Sequence, residues 1–75
     1  DKPFHVIAGS FTIPENADRQ MAKLQKKGFS TALLPKRGKY YMVSLGSYNT
    51  AEQAKAAKQQ FKEQLEQELW VMERR

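Results

Sequence analysis

The side chains that could carry out catalysis in this sequence are few and are spread along it. His5 is the single histidine and cysteine is absent, so no nucleophile has a base partner. No glycine-rich phosphate loop and no cluster of metal ligands is present. Paired carboxylates would have to come mostly from candidate helices or from the chain end, namely from Glu15, Asp18, Glu52, Glu63, Glu66, Glu68 and Glu73. We therefore expect no catalysis, no cofactor and no bound metal.

Aromatic, methionine and small polar side chains occur in the segments that read as strands. Tyr40, Met42 and Trp70 lie in such segments, and Ser10 follows another. Monomeric proteins rarely expose a large apolar patch without using it for binding. These residues therefore predict binding chemistry if the fold brings them to one surface.

The segment that must position Ser10 occurs twice in the chain. Residues 6–11 (VIAGSF) return as residues 43–48 (VSLGSY), and Ala17 returns as Ala54 at the same offset. A fixed internal offset indicates repeated supersecondary units. We therefore predict two copies of a unit made of a strand, a Gly-Ser-aromatic turn and a helix.

Local signals place the remaining elements. Pro14 and Gly28 mark the start and end of the first helix, and Thr50 with Gln53 resembles a capping box before the second. Strands are predicted over residues 4–8, 29–34, 39–45 and 69–73, and helices over residues 16–27 and 51–64. This order predicts an α+β, ferredoxin-like βαββαβ fold, with two helices on one face of a four-stranded antiparallel sheet.

Alternation along the strands divides their residues between the two sheet faces. The mostly apolar core set would be Val6, Ala8, Thr31, Leu33, Tyr41, Val43, Leu45, Leu69 and Val71. The open face would carry Ser10 at its edge together with His5, Ile7, Ser30, Ala32, Leu34, Tyr40, Met42, Ser44, Trp70, Met72 and Arg74. Because the second set is unusually apolar and aromatic for a solvated surface, it predicts a binding platform.

Size and charge narrow the possible partners. The 75 residues suffice for one small domain, residues 1–75, and their abrupt start at a strand suggests a module excised from a longer protein. The net charge of +5 favours polyanions or acidic saccharides. No apolar run approaches the roughly 20 residues that span a bilayer, so we expect no membrane contact by this segment.

Together these motifs resemble the SPOR domain, the bacterial sporulation-related repeat that binds septal peptidoglycan. The resemblance covers essentially the whole chain, and the order and spacing of its marks are more specific than any one of them. The marks are V-x-x-G-S-F at residues 6–11, K-G-F at 27–29, V-x-x-G-[PS]-[FY] at 43–48 and Trp70-Val71. The resemblance implies an open sheet face that binds glycan strands stripped of stem peptides, in the bacterial periplasm or envelope and at the septum. We expect the domain to be monomeric.

The resemblance also implies positions for the glycan site. The serine of the first motif is Ser10, and the position three residues earlier, where many members have glutamine, is Ile7. The third-strand aromatic is Tyr40, and Met42 takes the position where arginine is common. Aromatic rings can pack on the apolar C–H faces of sugar rings, and cations can meet a muramic-acid carboxylate. The other expected contacts are Trp70, Arg74 and a basic rim formed by Lys36 and Arg37.

Two other kinds of binding remain open alternatives. An RNA- or single-stranded-DNA-binding module of the RNA-recognition type shares the element order, and residues 37–43 (RGKYYMV) faintly match its third-strand motif. That register would turn Tyr41, Val43 and Leu45 towards solvent and would leave Tyr40, Met42 and Ser44 for the core. This is a less favourable division of the apolar side chains between core and surface. A protein–protein docking module would use the apolar face and would be indicated by self-association, which glycan binding does not require.

Overall fold

The computed structural model describes residues 2–65 and 67–74, and for residues 35–37 the backbone alone. Within these residues the elements are β1 (Phe4–Phe11), α1 (Pro14–Lys26), β2 (Ala32–Arg37), β3 (Tyr40–Tyr48), α2 (Ala51–Leu65) and β4 (Trp70–Glu73). The described strands form one antiparallel sheet in the order β2-β3-β1-β4. The α+β, ferredoxin-like βαββαβ arrangement predicted from the sequence is therefore confirmed.

Helix α1 spans Pro14–Lys26, so it begins two residues and ends one residue earlier than the predicted range 16–27, between the proline and the glycine that mark its ends. Pro14 occupies its first turn, where a missing backbone N–H costs nothing. Ala17 and Leu24 are buried on one side of the helix, against the sheet. Gly28 ends the helix with a φ of 93°, a left-handed conformation that suits glycine, and the Phe29 N–H donates to the Leu24 carbonyl at 3.1 Å. The local signals at both ends are therefore sufficient to define this helix.

Helix α2 has the side-chain cap that its sequence predicts. The backbone N–H of Gln53 donates to the Thr50 hydroxyl oxygen at 3.2 Å. Ala54 and Leu65 are buried, and the ring of Phe61 packs edge-on against Phe29 with ring centroids 5.6 Å apart. The helix is thus attached to the sheet by a narrow apolar stripe.

The hydrophobic core lies between the two helices and one face of the sheet. Leu24 of α1 packs there with Val6 and Val43, and all three side chains are essentially inaccessible to solvent. The full buried cluster is Val6, Ala8, Ala17, Leu24, Val43, Leu45, Ala54, Leu65 and Leu69. Because both helices cover the same face, the opposite sheet face is left without a helical layer.

Two predicted turns are in fact strand. Gly9 and Ser10 lie inside β1, and Gly46 and Ser47 lie inside β3, because the two strands pair over their whole length. The prediction that β1 ends at residue 8 and β3 at residue 45 was therefore wrong. The long ladder supplies backbone hydrogen bonds that a turn would forfeit.

Strand β2 lies further along the chain than residues 29–34. It includes Pro35, which is tolerated because β2 is an edge strand whose pairing is irregular between Leu34 and Arg37. Gly38, with a φ of 64°, lies in the turn before β3. Leu33 was predicted to belong to the core, yet it is 37% exposed, because the edge strand is only partly covered. Thr31 precedes β2 and so does not enter the strand core.

Candidate functional site

A pair of β-bulges determines which side chains reach the open face. Between the pairs Ile7–Ser44 and Gly9–Val43, Ala8 is an extra residue in β1. Leu45 is the corresponding extra residue in β3, and both bulged side chains are buried in the core. These two residues occupy equivalent positions in the internal repeat.

The bulge in β1 turns Ser10 towards the open face. Strict alternation from Val6 would point Ser10 into the core, but the extra residue Ala8 shifts the phase by one. Ser10 therefore follows Ile7 on the open face and pairs with Met42. The side-chain amide of Gln67 donates to the Ala8 carbonyl at 3.0 Å, which satisfies an acceptor at the bulge.

The glycines of the repeated motif leave room for the aromatic residues that follow them. A β-carbon on Gly9 would lie 2.6 Å from Cε2 of Phe11, and one on Gly46 would lie 2.9 Å from the Tyr48 hydroxyl oxygen. Neither glycine has a positive φ. Their role is therefore steric, which explains why glycine and an aromatic residue two positions later recur together.

The open face consists of three rows of cross-strand neighbours. The first row runs Leu34, Met42, Ser10; the second runs Ala32, Ser44, Ile7, Trp70; the third runs Ser47, His5, Met72. Partners in a row point to the same side of the sheet. The rows therefore bring together Ser10 with Met42 and Ile7 with Trp70, as the sequence predicted for one face.

Exposure differs sharply among the expected contacts. Tyr40 is 46% exposed and Trp70 is 39% exposed, although both are large and apolar. Ile7 has no exposed surface, because it is enclosed between its cross-strand partners Ser44 and Trp70. Ile7 therefore lies on the expected face but beneath its surface, and in this conformation it supports Trp70 and cannot touch a ligand.

Arg74 is the one expected cationic contact whose side chain belongs to the described residues. Arg74 follows β4 directly, and its backbone N–H donates to the Pro3 carbonyl at 2.7 Å. Its charge acts on His5 at the end of the sheet away from Tyr40. The side chains of Lys36 and Arg37 lie outside the described residues, so the basic rim remains an expectation.

His5 belongs to a chain of hydrogen bonds on the same face. Its Nδ1 lies 3.2 Å from the hydroxyl oxygen of Ser44, which itself donates to the Gly46 carbonyl at 3.1 Å. Burial, and then the positive charge of Arg74, lower the pKa of His5 below its usual 6.5. The imidazole is therefore predominantly neutral at pH 7.

Sequence reasoning missed Ser47 as a surface residue of this face. The bulge at Leu45 turns Ser47 to the same side as His5, where it lines an open groove of about 180 Å³. Ser30 and Ala32 line the opposite side of that groove. A bulge indicated by the repeated glycine is the signal that could have revealed this, but the Gly46-Ser47 pair was interpreted as a turn.

Other site chemistries find little support in the part of the chain that the structure describes. Across residues 2–65 and 67–74, no three His, Asp or Glu side chains gather in a way that could hold a metal ion. Neither described helix has both the length and the apolar character needed to cross a membrane. The surface that stands out is the open sheet face with Tyr40, Ser10 and Trp70.

Comparison with known protein families identifies the family of this chain. The model of the SPOR domain matches residues 1–72. The chain belongs to the SPOR domain family. No curated protein and no solved structure was found to match the chain. SPOR domains bind peptidoglycan, occur in bacterial envelope proteins and form a binding family that is not an enzyme family.

This SPOR domain has an apolar version of the expected face. Ile7 and Met42 occupy the two positions where the motif resemblance leads us to expect glutamine and arginine. The half-buried Met42 lies between Leu34 and Ser10 in its row, so it adds apolar surface there. The polar side chains of the face are therefore found at Ser10 and at the end of the sheet that carries His5 and Ser47.

Proposed function

We propose that this domain binds glycan strands of peptidoglycan through its open sheet face, without catalysis, and thereby holds its parent protein at the cell wall. The observation that carries the proposal is the exposure of Tyr40 and Trp70 on one face of a SPOR domain. Exposing two aromatic rings to water on an uncovered sheet is unfavourable, and such exposed apolar surface often marks a binding site. Septal localisation in the periplasm belongs to the same proposal.

Aromatic stacking provides the main attraction in this proposal. Sugar rings have apolar C–H faces that can lie on Tyr40 and Trp70, while their hydroxyls reach the Ser10 hydroxyl. The cross-strand partner of Ser10 is Met42, so no charged or basic side chain lies beside the serine hydroxyl in its row. It therefore serves as an orienting hydrogen-bond group.

A preference for strands without stem peptides has a specific physical origin in this proposal. In muramic acid the lactyl carboxylate is free only when the stem peptide has been removed. Arg74 follows β4 at the end of the open face and can form a charge-assisted hydrogen bond with such a carboxylate. An amide-linked peptide removes that charge and adds bulk over the sheet.

The two exposed rings provide the direct test. We expect the Tyr40→Ala/Trp70→Ala double variant to bind amidase-treated sacculi about tenfold to a hundredfold more weakly, because two stacking surfaces are lost. The measurement is a sedimentation titration with purified sacculi, with and without amidase removal of stem peptides. Ile13→Ala is the matched control, since Ile13 is a 51% exposed apolar residue that belongs to none of the four strands and caps α1.

The outcomes of this titration separate the alternatives. Binding that rises after amidase treatment, falls in the double variant and persists in Ile13→Ala supports the proposal. A wild-type domain that is not retained on either wall preparation rejects it. Displacement by RNA would favour the nucleic-acid alternative, and concentration-dependent dimerisation through this face would favour protein docking.

A further inference from the structure

A groove lies at the His5 end of the sheet, and neither Tyr40 nor Trp70 is among the residues that line it. It is about 180 Å³ in volume and is lined by His5, Ser30, Thr31, Ala32, Leu34 and Ser47, among others. Pockets that hold whole drug-sized ligands are usually about 300–1,000 Å³. The groove is therefore suited to one substituent of a larger ligand.

The hydrogen bonds around Ser44 determine the tautomer of His5. Ser44 has one hydroxyl hydrogen, which it donates to the Gly46 carbonyl. With that hydrogen assigned to Gly46, the contact of the Ser44 oxygen with Nδ1 of His5 is assigned as a donation from the imidazole. With Nδ1 protonated, the neutral ring presents Nε2 as a hydrogen-bond acceptor to any group in the groove.

The other groove residues supply two further kinds of contact. Ala32 and Leu34 contribute apolar surface. Thr31 accepts a hydrogen bond from the Gln25 amide at 2.9 Å, so its own hydroxyl hydrogen remains available to a ligand. Ser30 and Ser47 add further hydroxyls. One acceptor, several donors and an apolar surface are thus combined in one small space.

We propose that this groove holds the acetamido group of an amino sugar, with His5 Nε2 accepting its N–H, hydroxyls donating to its carbonyl, and Ala32 and Leu34 packing on its methyl group. A bare sugar hydroxyl would leave the apolar surface unused. This inference rests on the proposed glycan-binding function and makes His5 a specificity residue for N-acetylated strands.

The proposal predicts a loss of binding on acidification. Protonation of Nε2 turns the acceptor into a donor, which repels an amide N–H. The groups facing His5 are Ser44 and Ser47 from β3 and Met72 and Arg74 from the β4 side, of which Arg74 carries charge. Acetyl preference should therefore be complete above the pKa of His5 and decline as the pH falls through it.

The experiment compares three forms of amidase-treated sacculi: N-acetylated, enzymatically de-N-acetylated, and chemically re-acetylated. The titrations are run in about 1 M salt, where the Debye length of about 3 Å suppresses repulsion between the new amines and the basic domain. We expect the wild type to bind the acetylated strands about tenfold more tightly, with re-acetylation restoring the difference. His5→Phe should bring the ratio of the two affinities, for acetylated and for de-N-acetylated strands, close to one and should remove the pH dependence of that ratio.

A second variant guards against misfolding of the first. Ala32→Leu fills the groove from the exposed edge strand and leaves the His5–Ser44 hydrogen bond in place. It should also remove the preference, and circular dichroism would check that both variants are folded. Equal wild-type affinity for acetylated and de-N-acetylated strands would overturn the groove assignment alone, as would a preference that survives in both folded variants. Absence of wild-type binding to every form would overturn the proposed function and this inference with it.

Discussion

At the scale of single residues, Ile7 shows that a side chain can lie on the open face of the sheet and still be buried. A glutamine at this position would bring hydrogen-bonding groups to the face, whereas Ile7 is wholly buried between Ser44 and Trp70. The hydrocarbon side chain thus supports the ring that is proposed to meet the ligand. Ile7 itself can offer no hydrogen bond to a ligand.

Introducing glutamine at this position is therefore expected to destabilise the folded domain. Ile7→Gln should lower the free energy of unfolding by about 1–3 kcal/mol, because it buries an amide without hydrogen-bond partners. Urea denaturation provides the measurement, and Ile7→Val, with an expected loss of about 0.5–1.5 kcal/mol, is the control for lost packing. If the glutamine variant were as stable as Ile7→Val, the position must open to solvent, and Trp70 must be displaceable.

At the scale of elements, the paired bulges connect the sequence repeat to the geometry of the face. Each copy of the motif places one extra residue, Ala8 or Leu45, in the core and brings the following serine to the opposite side. The glycine after each bulge makes room for an aromatic ring. In both copies the Gly-Ser-aromatic segment thus follows a bulge that shifts the alternation of side chains between the two faces, while the strand continues.

The two glycines should differ in their tolerance of alanine. Gly9→Ala should destabilise the domain by about 1–3 kcal/mol, since its β-carbon would lie 2.6 Å from the partly buried ring of Phe11. Gly46→Ala should cost less, because the nearest atom is the terminal hydroxyl oxygen of Tyr48 at 2.9 Å. Urea denaturation of both variants tests the order.

A double variant identifies the cause of the Gly9 effect. In a Phe11→Ala background the added β-carbon meets no ring, so the further cost of Gly9→Ala should largely disappear. An undiminished cost in that background would mean that backbone conformation, and not the ring, demands glycine at this position.

At the scale of the whole molecule, positive charge and burial act together on the single titrating imidazole. Burial is the larger cause of the lowered pKa of His5, and the charge of Arg74 is the second. The unfolded chain, in which the pKa is near 6.5, therefore binds more protons than the folded domain at mildly acidic pH. The stability associated with His5 is present above pH 6.5 and is lost as the pH falls through the lower, folded-state pKa.

We therefore expect the free energy of unfolding to decrease as the pH is lowered within the range of about 8 to 5, where histidine titrates. Urea denaturation across this range should show a smaller slope for His5→Phe than for the wild type. Equal slopes would mean that the pKa of His5 is the same in the folded and unfolded states.

The features of this protein that depend on local signals could be predicted from its sequence. Pro14, Gly28 and the Thr50–Gln53 cap mark helix ends through neighbouring backbone groups, and apolar spacing selects the helix sides that pack on the sheet. These signals, with the repeated motif, were enough to predict the fold, the family and an open face that contains Tyr40 and Trp70.

The arrangement of side chains on that face depends on contacts between strands that are distant in the sequence. The bulges at Ala8 and Leu45 are defined by pairing between β1 and β3, so strand alternation within one segment could not place Ser10 or Ser47. The complete burial of Ile7 and the hydrogen bond from His5 to Ser44 likewise depend on residues far apart in the chain. Local sequence selects the elements, but contacts between distant strands determine which side chains a ligand can reach.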